Sequence, residues 1–283
     1  MNVVFIHVNY NNTSKTIDCV SSIFENSIED VVFKIIIIDN NSRNQEKQQL
    51  KNWYNNQNKK VVTIHFLDDN IGYFPALNYG LIHYQNIIDV DYVIIGNNDL
   101  LFENIFLTKL SKKKYDKSVF VIAPNIVNED NNHQNPQIVY KYKIHQLIFL
   151  DLYFTNYFLA KMLEYLSHIF RFRGSQTSRA GHDKSQFISI GYGACYILTK
   201  EYLNRIKTLP DYLFLMNEEN ALSDVVFKNN GRIYYDSELV VHHMEHSSVG
   251  LVIKKHIYKI AQKSYKISKK HFKNKDLYDK YII

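Results

Sequence analysis

Four short runs, VVFIHV, FKIIII, VVTIHF and YVII, begin near residues 3, 33, 61 and 92, and each is almost wholly apolar. Helical patterns separate them: Ser14 to Phe24, Gln45 to Tyr54 and Ala76 to Tyr84. A strand with one wet face alternates apolar and polar residues, so a strand without a polar face must be covered on both sides. Such strands alternating with helices predict a mostly parallel sheet between helical layers, built in the Rossmann manner over the first ~125 residues.

Each run stops at polar residues. Asn9 follows the first, Asp39 the second, Asn70 and Gly72 the third, and Asn97, Asn98 and Asp99 the fourth. In parallel α/β sheets ligands bind just beyond the carboxyl ends of the strands, which makes these the first candidates for a site. Asp39 offers a carboxylate to a base imide or a ribose hydroxyl, or simply closes an Asx turn. Gly72 permits close backbone approach, and Asn78 lies one to two turns into the next helix. Asp99 beside two amides has the oxygen-rich character that Mg²⁺ and Mn²⁺ prefer, with a plain NND turn as the alternative. Neither GxGxxG nor GxxxxGK[ST] occurs, so a nucleotide site would be built differently from either.

The second half is less regular. Residues 144–170 are rich in Leu, Ile, Phe and Tyr, but Asp151, Lys161 and Glu164 interrupt them, which excludes a membrane span. A helical hairpin packed on the core or an interfacial amphipathic element remains. Arg171, Arg173 and Arg179 follow in a polar loop suited to phosphate contacts or to a solvated surface. Phe187 to Leu198 reads as a strand, Glu201 to Ile206 and Glu218 to Asn230 as helices, the latter ended by Gly231, and Arg232 to Tyr235 and Leu239 to Val241 as short strands. Thr13 or Ser14 can cap the first helix.

The chain's net charge of +6 is unevenly placed: Lys254 to Lys280 contains ten lysines against Asp276 and Asp279, so the remainder is slightly acidic. That basic, helix-patterned tail suits a solvated face, an anionic membrane surface or another polyanion. No nucleic-acid module accompanies it, so nucleic acid is not expected as a partner. The two cysteines, Cys19 and Cys195, form neither a metal motif nor a disulfide framework. MNVVFIHVNY enters a strand with no basic leader or cleavage site, so a cytoplasmic location is expected.

Taken in order, VNYNN, IIIIDNNS, NIGYFPALNYG, YVIIGNNDL, GYGACYIL, NEENALS and VVHHMEHSS resemble the family-2 glycosyltransferases of the GT-A fold, particularly bacterial rhamnosyltransferase-like members, over roughly residues 3 to 250. The resemblance implies a GT-A catalytic domain over 1–250, with a nucleotide-sugar half at 1–125 and an acceptor half at 187–250, followed by the basic helical tail at 251–283. It implies that Asp39 contacts the base, that the loop from Asn70 through Gly72 to Asn78 closes over the nucleoside, and that Asn9 lines the same pocket. Asn97, Asn98 and Asp99 stand where the family has its DxD-type motif, which implies that Asn97 and Asn98 line the nucleotide-sugar site and that Asp99 is the ligand of a divalent metal, Mn²⁺ or Mg²⁺. Asn97 replaces the motif's first carboxylate. His242, with His243 as alternate, would face the metal or the diphosphate. Glu219, with Glu218 second, would be the general base of an inverting transfer.

The implied function is transfer of a hexosyl or rhamnosyl group from a dTDP- or UDP-sugar to a glycan or lipid-linked glycan in surface polysaccharide or lipooligosaccharide synthesis, at the inner face of the cytoplasmic membrane. Two other readings stand beside it. The degenerate NND and EENAL motifs suit a nucleotide-sugar-binding or scaffold protein of the same fold. A sugar nucleotidyltransferase would need a Gly-rich, basic triphosphate loop, which is not apparent near Asn9.

Overall fold

The computed structural model describes residues 1–84, 90–140, 142, 144–170, 179–244 and 254–272. The elements run β1 (Asn2–Asn9), α1 (Thr13–Glu25), β2 (Val32–Asp39), α2 (Asn44–Asn55), β3 (Val62–Phe66), α3 (Tyr73–Tyr84), β4 (Tyr92–Asn97), β5 (Leu100–Phe102), α4 (Phe106–Lys112) and β6 (Val119–Asn128). They continue as α5 (Ile144–Tyr153), α6 (Tyr157–Phe170), β7 (Gln186–Ile188), β8 (Cys195–Thr199), α7 (Lys200–Arg205), α8 (Glu218–Lys228), β9 (Arg232–His243) and α9 (Lys255–Phe272).

The expected parallel block is present. β3, β2, β1 and β4 lie side by side and parallel, and β1 is buried along nearly its whole length. Val4 and Ile6 of β1 face one apolar cluster with Ile36, Phe74, Leu77 and Leu222, while Val3 and Phe5 face another with Ile35, Val20, Leu50 and Leu107. Period-two alternation thus serves two cores, with α3 and α8 on one side and α1, α2 and α4 on the other.

Beyond β4 the sheet becomes mixed, in the order β4-β8-β6-β9-β5, with β7 on β9. β8 is antiparallel to both β4 and β6, and β6 runs parallel to β9. Three expectations change here. The apolar stretch from Phe187 to Leu198 is two strands separated by the Gly191–Gly193 segment, not one. The two short strands expected between Arg232 and Val241 are one strand, β9, carried through an irregularity opposite Pro124 and Asn125. β6, assigned to no element in the sequence reading, is a central strand. At the start of α1 no side chain caps the helix; Thr13 instead donates its N–H to Glu46 of α2 at 2.9 Å.

These directions bring one edge together. Register pairs Asn9 with Asp39 and Val8 with Asn97, so three strands end at one level. Because β8 is antiparallel, its beginning, Cys195 opposite Gly96, lies at that same edge. β9 ends there too, with His243 opposite Leu100 and the Met244 N–H on the Asp99 carbonyl at 2.8 Å.

Candidate functional site

Two polar clusters meet at this edge. In the first, Asp39 and Asn9 are wholly buried. Asn9 donates to Asp39 Oδ2 at 2.7 Å, and the Ser42 N–H donates to Asp39 Oδ1 at 3.0 Å. Thr16 donates to Asn9 Oδ1 at 2.9 Å. Asn98 donates to Thr16 Oγ1 at 2.8 Å and to the Asn12 carbonyl at 3.0 Å. These groups satisfy one another, and they pin the ends of β1, β2 and β4 to α1.

Polar atoms of Asp39, Asn9 and Asn98, the expected nucleotide contacts, are thus engaged with the protein itself in this structure. The same holds for the following loop. Asn40 donates to Asn70 Oδ1 and to the Gly72 carbonyl, both at 3.0 Å. Gly72 has φ 100°, and a Cβ there would stand 2.3 Å from the Phe214 carbonyl oxygen. The close approach that requires glycine is thus made by the chain itself, with Tyr73 N–H on Phe214 O at 2.9 Å. Asn78 accepts from the Leu209 N–H at 3.0 Å and donates to Asp211 at 3.3 Å, which turns it toward the connection before α8 and away from the strand ends.

The second cluster has groups to spare. Asp99, half-buried, lies 3.3 Å from His243 Nε2 through Oδ1, an oxygen that lacks a properly aligned hydrogen-bond donor. His243 Nδ1 meets Gln134 Oε1 at 2.9 Å. An amide oxygen only accepts, so Nδ1 carries a hydrogen, and Nε2 is the ring nitrogen turned toward Asp99 and Asn97. Asn97 Nδ2 stands 3.3 Å from Nε2. A proton or a cation shared between Nε2 and the Asp99 oxygen would satisfy both. Burial would raise the Asp99 carboxyl, but His243 and then Asn97 more than offset it, so it sits below its ordinary value and is ionised at neutral pH.

His242, the expected ligand, is exposed on the opposite face of β9, while His243 is buried. The period-two pleat decides this: pairing of Leu100 with His243 turns the odd-numbered histidine inward. His7, beneath Asn97, bonds the Asn97 carbonyl at 2.7 Å and is depressed by burial to about 4, which keeps it neutral.

A carboxylate oxygen, an imidazole nitrogen and an amide suit Mn²⁺ or Mg²⁺ in donor chemistry. Among the described residues no three His, Cys, Asp or Glu side chains gather to hold a metal. The protein would supply a minority of the ligands and a diphosphate with water the rest, as is usual for Mg²⁺-type sites. The orphaned Asp99 oxygen fits that role.

Facing this group is the amino end of α8. Met216 and Asn217 both have left-handed φ, 69° and 67°, a sharp turn that presents Glu218 and Glu219 as the first residues of the helix. Glu219 rests against Gly193, where a Cβ would come within 2.7 Å of its Oε1. The Tyr73 hydroxyl donates to the Gly193 carbonyl at 3.1 Å. Burial lifts Tyr73 well above its ordinary value, and Cys195 and then Glu218, Asp99 and Glu219 add to the effect, so all three carboxylates are within electrostatic reach of this hydroxyl. Burial, and then the charge of Glu219, raises Glu218 to about 8; its Oε1 is buried without a partner. Burial also raises Glu219, and the Gly193 backbone draws it partly back. Both carboxyls are thus held above their ordinary value by burial, and as adjacent acids they titrate as a pair.

Tyr142 closes the far side. Burial pushes its hydroxyl up to about 12, with Asn220 drawing it partly back and Glu219 adding to the rise. Tyr73, Gln134, Tyr142 and Asn220 were not among the expected site residues; single polar or aromatic residues outside the strand-end motifs carry no local signal. Arg179 lies beside this region with its N–H on the His133 carbonyl at 3.0 Å, while Arg171 and Arg173 lie outside the described residues. A pocket of about 360 Å³ lined by Met1, Tyr92, Lys113 and Tyr115 opens at the opposite end of β1 and β4 and shares no residue with this site.

A mixed sheet with an acidic residue after β4, a histidine closing the last strand and a paired-acid helix start defines the GT-A class of nucleotide-sugar fold. Residues 5–178 match the profile of Glycosyl transferase family 2, and the chain belongs to that family. No curated protein is similar enough in sequence to count as a match. Similar solved structures include GalNAc-T7 with UDP, GalNAc and Mn²⁺, at TM-score 0.59 and 12% identity over 94% of this chain and 48% of that one. The Pyrobaculum calidifontis mannosyltransferase PcManGT with GDP-Man and Mn²⁺ aligns at 0.53 and 15%, over 87% and 58%. S. aureus TarS 1-349 with UDP aligns at 0.55 and 12%, over 87% and 61%. The chain thus spans about half the length of GalNAc-T7. At such identities the likeness is one of fold.

Proposed function

We propose that the chain is an inverting glycosyltransferase that moves a hexosyl or rhamnosyl group from a dTDP- or UDP-sugar to a hydroxyl of a surface glycan or its lipid-linked precursor at the inner face of the cytoplasmic membrane. One observation carries the reading: Asp99, held below its ordinary value and 3.3 Å from His243, lies on the same strand-end edge as the Glu218–Glu219 pair at the start of α8, with Tyr73 within electrostatic reach of all three acids.

Glu219 takes the proton from the acceptor hydroxyl as that oxygen attacks the anomeric carbon, opposite the departing nucleotide. A positioned base of this kind contributes ~10²–10⁴-fold. Glu218, holding its proton, keeps the second negative charge out of the pocket. Gly193 leaves room for the Glu219 carboxylate, and Tyr73 fixes that backbone to the donor-side loop. Asp99 and His243 would hold a divalent cation that offsets charge developing on the diphosphate. The buried Asn9–Asp39–Asn98 cluster sets the spacing of the strand ends beneath the nucleoside.

The replacement of a carboxylate by Asn97 supports a second reading, a nucleotide-sugar-binding protein without transfer. Thermal shift against UDP-, dTDP-, GDP- and CMP-sugars with and without Mn²⁺, on the native chain and Asp99→Ala, tests both. A selective, Mn²⁺-enhanced shift lost in the variant, together with donor hydrolysis or transfer, supports the enzyme. A shift without either reaction supports the binder, and no shift with any sugar nucleotide removes both.

A further inference from the structure

Helix α5, IHQLIFLDLY, has no buried residue, although it is mostly apolar. Ile144, Ile148 and Leu152 recur at i, i+4 and i+8 on one face, and Phe158, Met162 and Tyr165 at i, i+4 and i+7 on α6. These six side chains are between 48% and 78% exposed. Soluble proteins rarely leave apolar surface of this extent uncovered. The hairpin's acids are drawn away from that face: Asp151 accepts from the Tyr265 hydroxyl at 2.6 Å and pairs with Lys269 at 2.5 Å, and Glu164 accepts from Tyr153 at 2.5 Å. Lys161 is exposed on α6.

Helix α9 adds a cationic row. Tyr258 and Gln262 bond the Tyr153 and Phe154 carbonyls at the hairpin turn. Exposed Lys259, Lys263 and Lys266 each follow one of the contact residues Tyr258, Gln262 and Tyr265 by a single position. One position is about 100° around a helix, so the lysines stand beside the hairpin rather than behind it. No described helix is long and apolar enough to cross a membrane.

We infer that the α5–α6 hairpin is a monotopic docking element that lies in the surface of an anionic bilayer, its apolar rows in the headgroup–acyl boundary and the α9 lysines on the lipid phosphates. Apolar burial joined to adjacent lysines is the composition that interfacial helices use. A second copy of the chain would bring one lysine row against another, which disfavours self-association through this face. Docking would also place a pocket of about 460 Å³, lined by Tyr142, His145, Gln146, Phe149 and Leu150, next to the lipid surface and near Glu219. A lipid-linked acceptor follows from that placement together with the transferase reading; the docking itself rests on the hairpin and α9 alone.

Flotation of the full chain with phosphatidylcholine vesicles, with and without phosphatidylglycerol, tests the inference, using the double variant Ile148→Asp/Phe158→Asp and the triple variant Lys259→Glu/Lys263→Glu/Lys266→Glu. The native chain is expected to float only with the anionic vesicles, and each variant to lose on the order of tenfold in bound fraction. Melting temperature and the sugar-nucleotide thermal shift should stay as in the native chain, because the substituted side chains are exposed and outside the strand-end site. Absence of flotation by the native chain, or flotation of the Asp/Asp variant at the native level, overturns the docking. So does light scattering that shows a dimer which the Asp/Asp variant dissolves. Loss of the nucleotide shift with flotation intact would strike the transferase reading and leave the docking standing.

Discussion

The two polar clusters at the carboxyl edge of the sheet are built from similar residues and do opposite things. Around Asn9, Asp39, Thr16 and Asn98 the side chains are buried and hydrogen-bond one another. Around Asp99, His243, Glu218 and Glu219 a carboxylate oxygen stands 3.3 Å from an imidazole nitrogen, another is buried without a partner, and two adjacent acids are both raised by burial. A satisfied buried network stabilises and specifies the fold, whereas an unsatisfied one carries a cost that persists only where something else compensates it. In the proposed function the first cluster is the frame, and the second is where a ligand and chemistry belong.

The largest expected effect tests the second cluster directly. Glu219→Gln should lower the transfer rate by ~10²–10⁴-fold while leaving the donor-induced thermal shift in place; equal loss of both would make Glu219 a binding group instead. The frame should respond in the other currency. Asn98→Ala removes the amide hydrogen bonds to Thr16 and to the Asn12 carbonyl, and should cost about 1–3 kcal/mol in denaturant unfolding. If Asn98→Ala instead abolishes donor binding at unchanged stability, the division between frame and site fails.

A histidine comparison sharpens it further. His243→Ala should weaken the Mn²⁺-dependent part of donor binding by roughly tenfold or more, and His242→Ala, on the exposed face, should leave it unchanged. The smallest effect is a matter of slope. A carboxyl raised from 4.5 to about 8 keeps its proton in the folded chain while the unfolded chain has lost it, so it makes stability fall as pH rises across that window. Glu218→Gln should flatten the fall, as read from unfolding curves between those pH values; an unchanged slope would mean that Glu218 is not the protonated member.

Much of the frame was legible in the chain. All-apolar runs between helical patterns can only be strands covered on both faces, and each run's polar terminus marked the edge where Asn97 and Asp99 now stand. The paired acids at the start of α8 were legible too, because acids favour a helix amino end and the family motif falls on them. Other features had no local signature. β6 is as apolar as its neighbours yet was not singled out, and the reversal of β8 between β4 and β6 leaves no mark in composition, because a buried strand reads alike in either direction. The role of Gly72 was right in kind, a close approach, but its partner is Phe214, 142 residues along the chain.

By itself the sequence determined the layered α/β build, the polar edge and the residue types at it, because periodicity and burial are properties of short segments. Only the tertiary structure decided which of those residues look inward and which look out. Asn98 and Asp99 are neighbours on opposite sides of a turn, and His242 and His243 are neighbours on opposite faces of a strand. Register with β5, a contact between distant segments, chose His243 for the site; one residue's slip would have chosen the other.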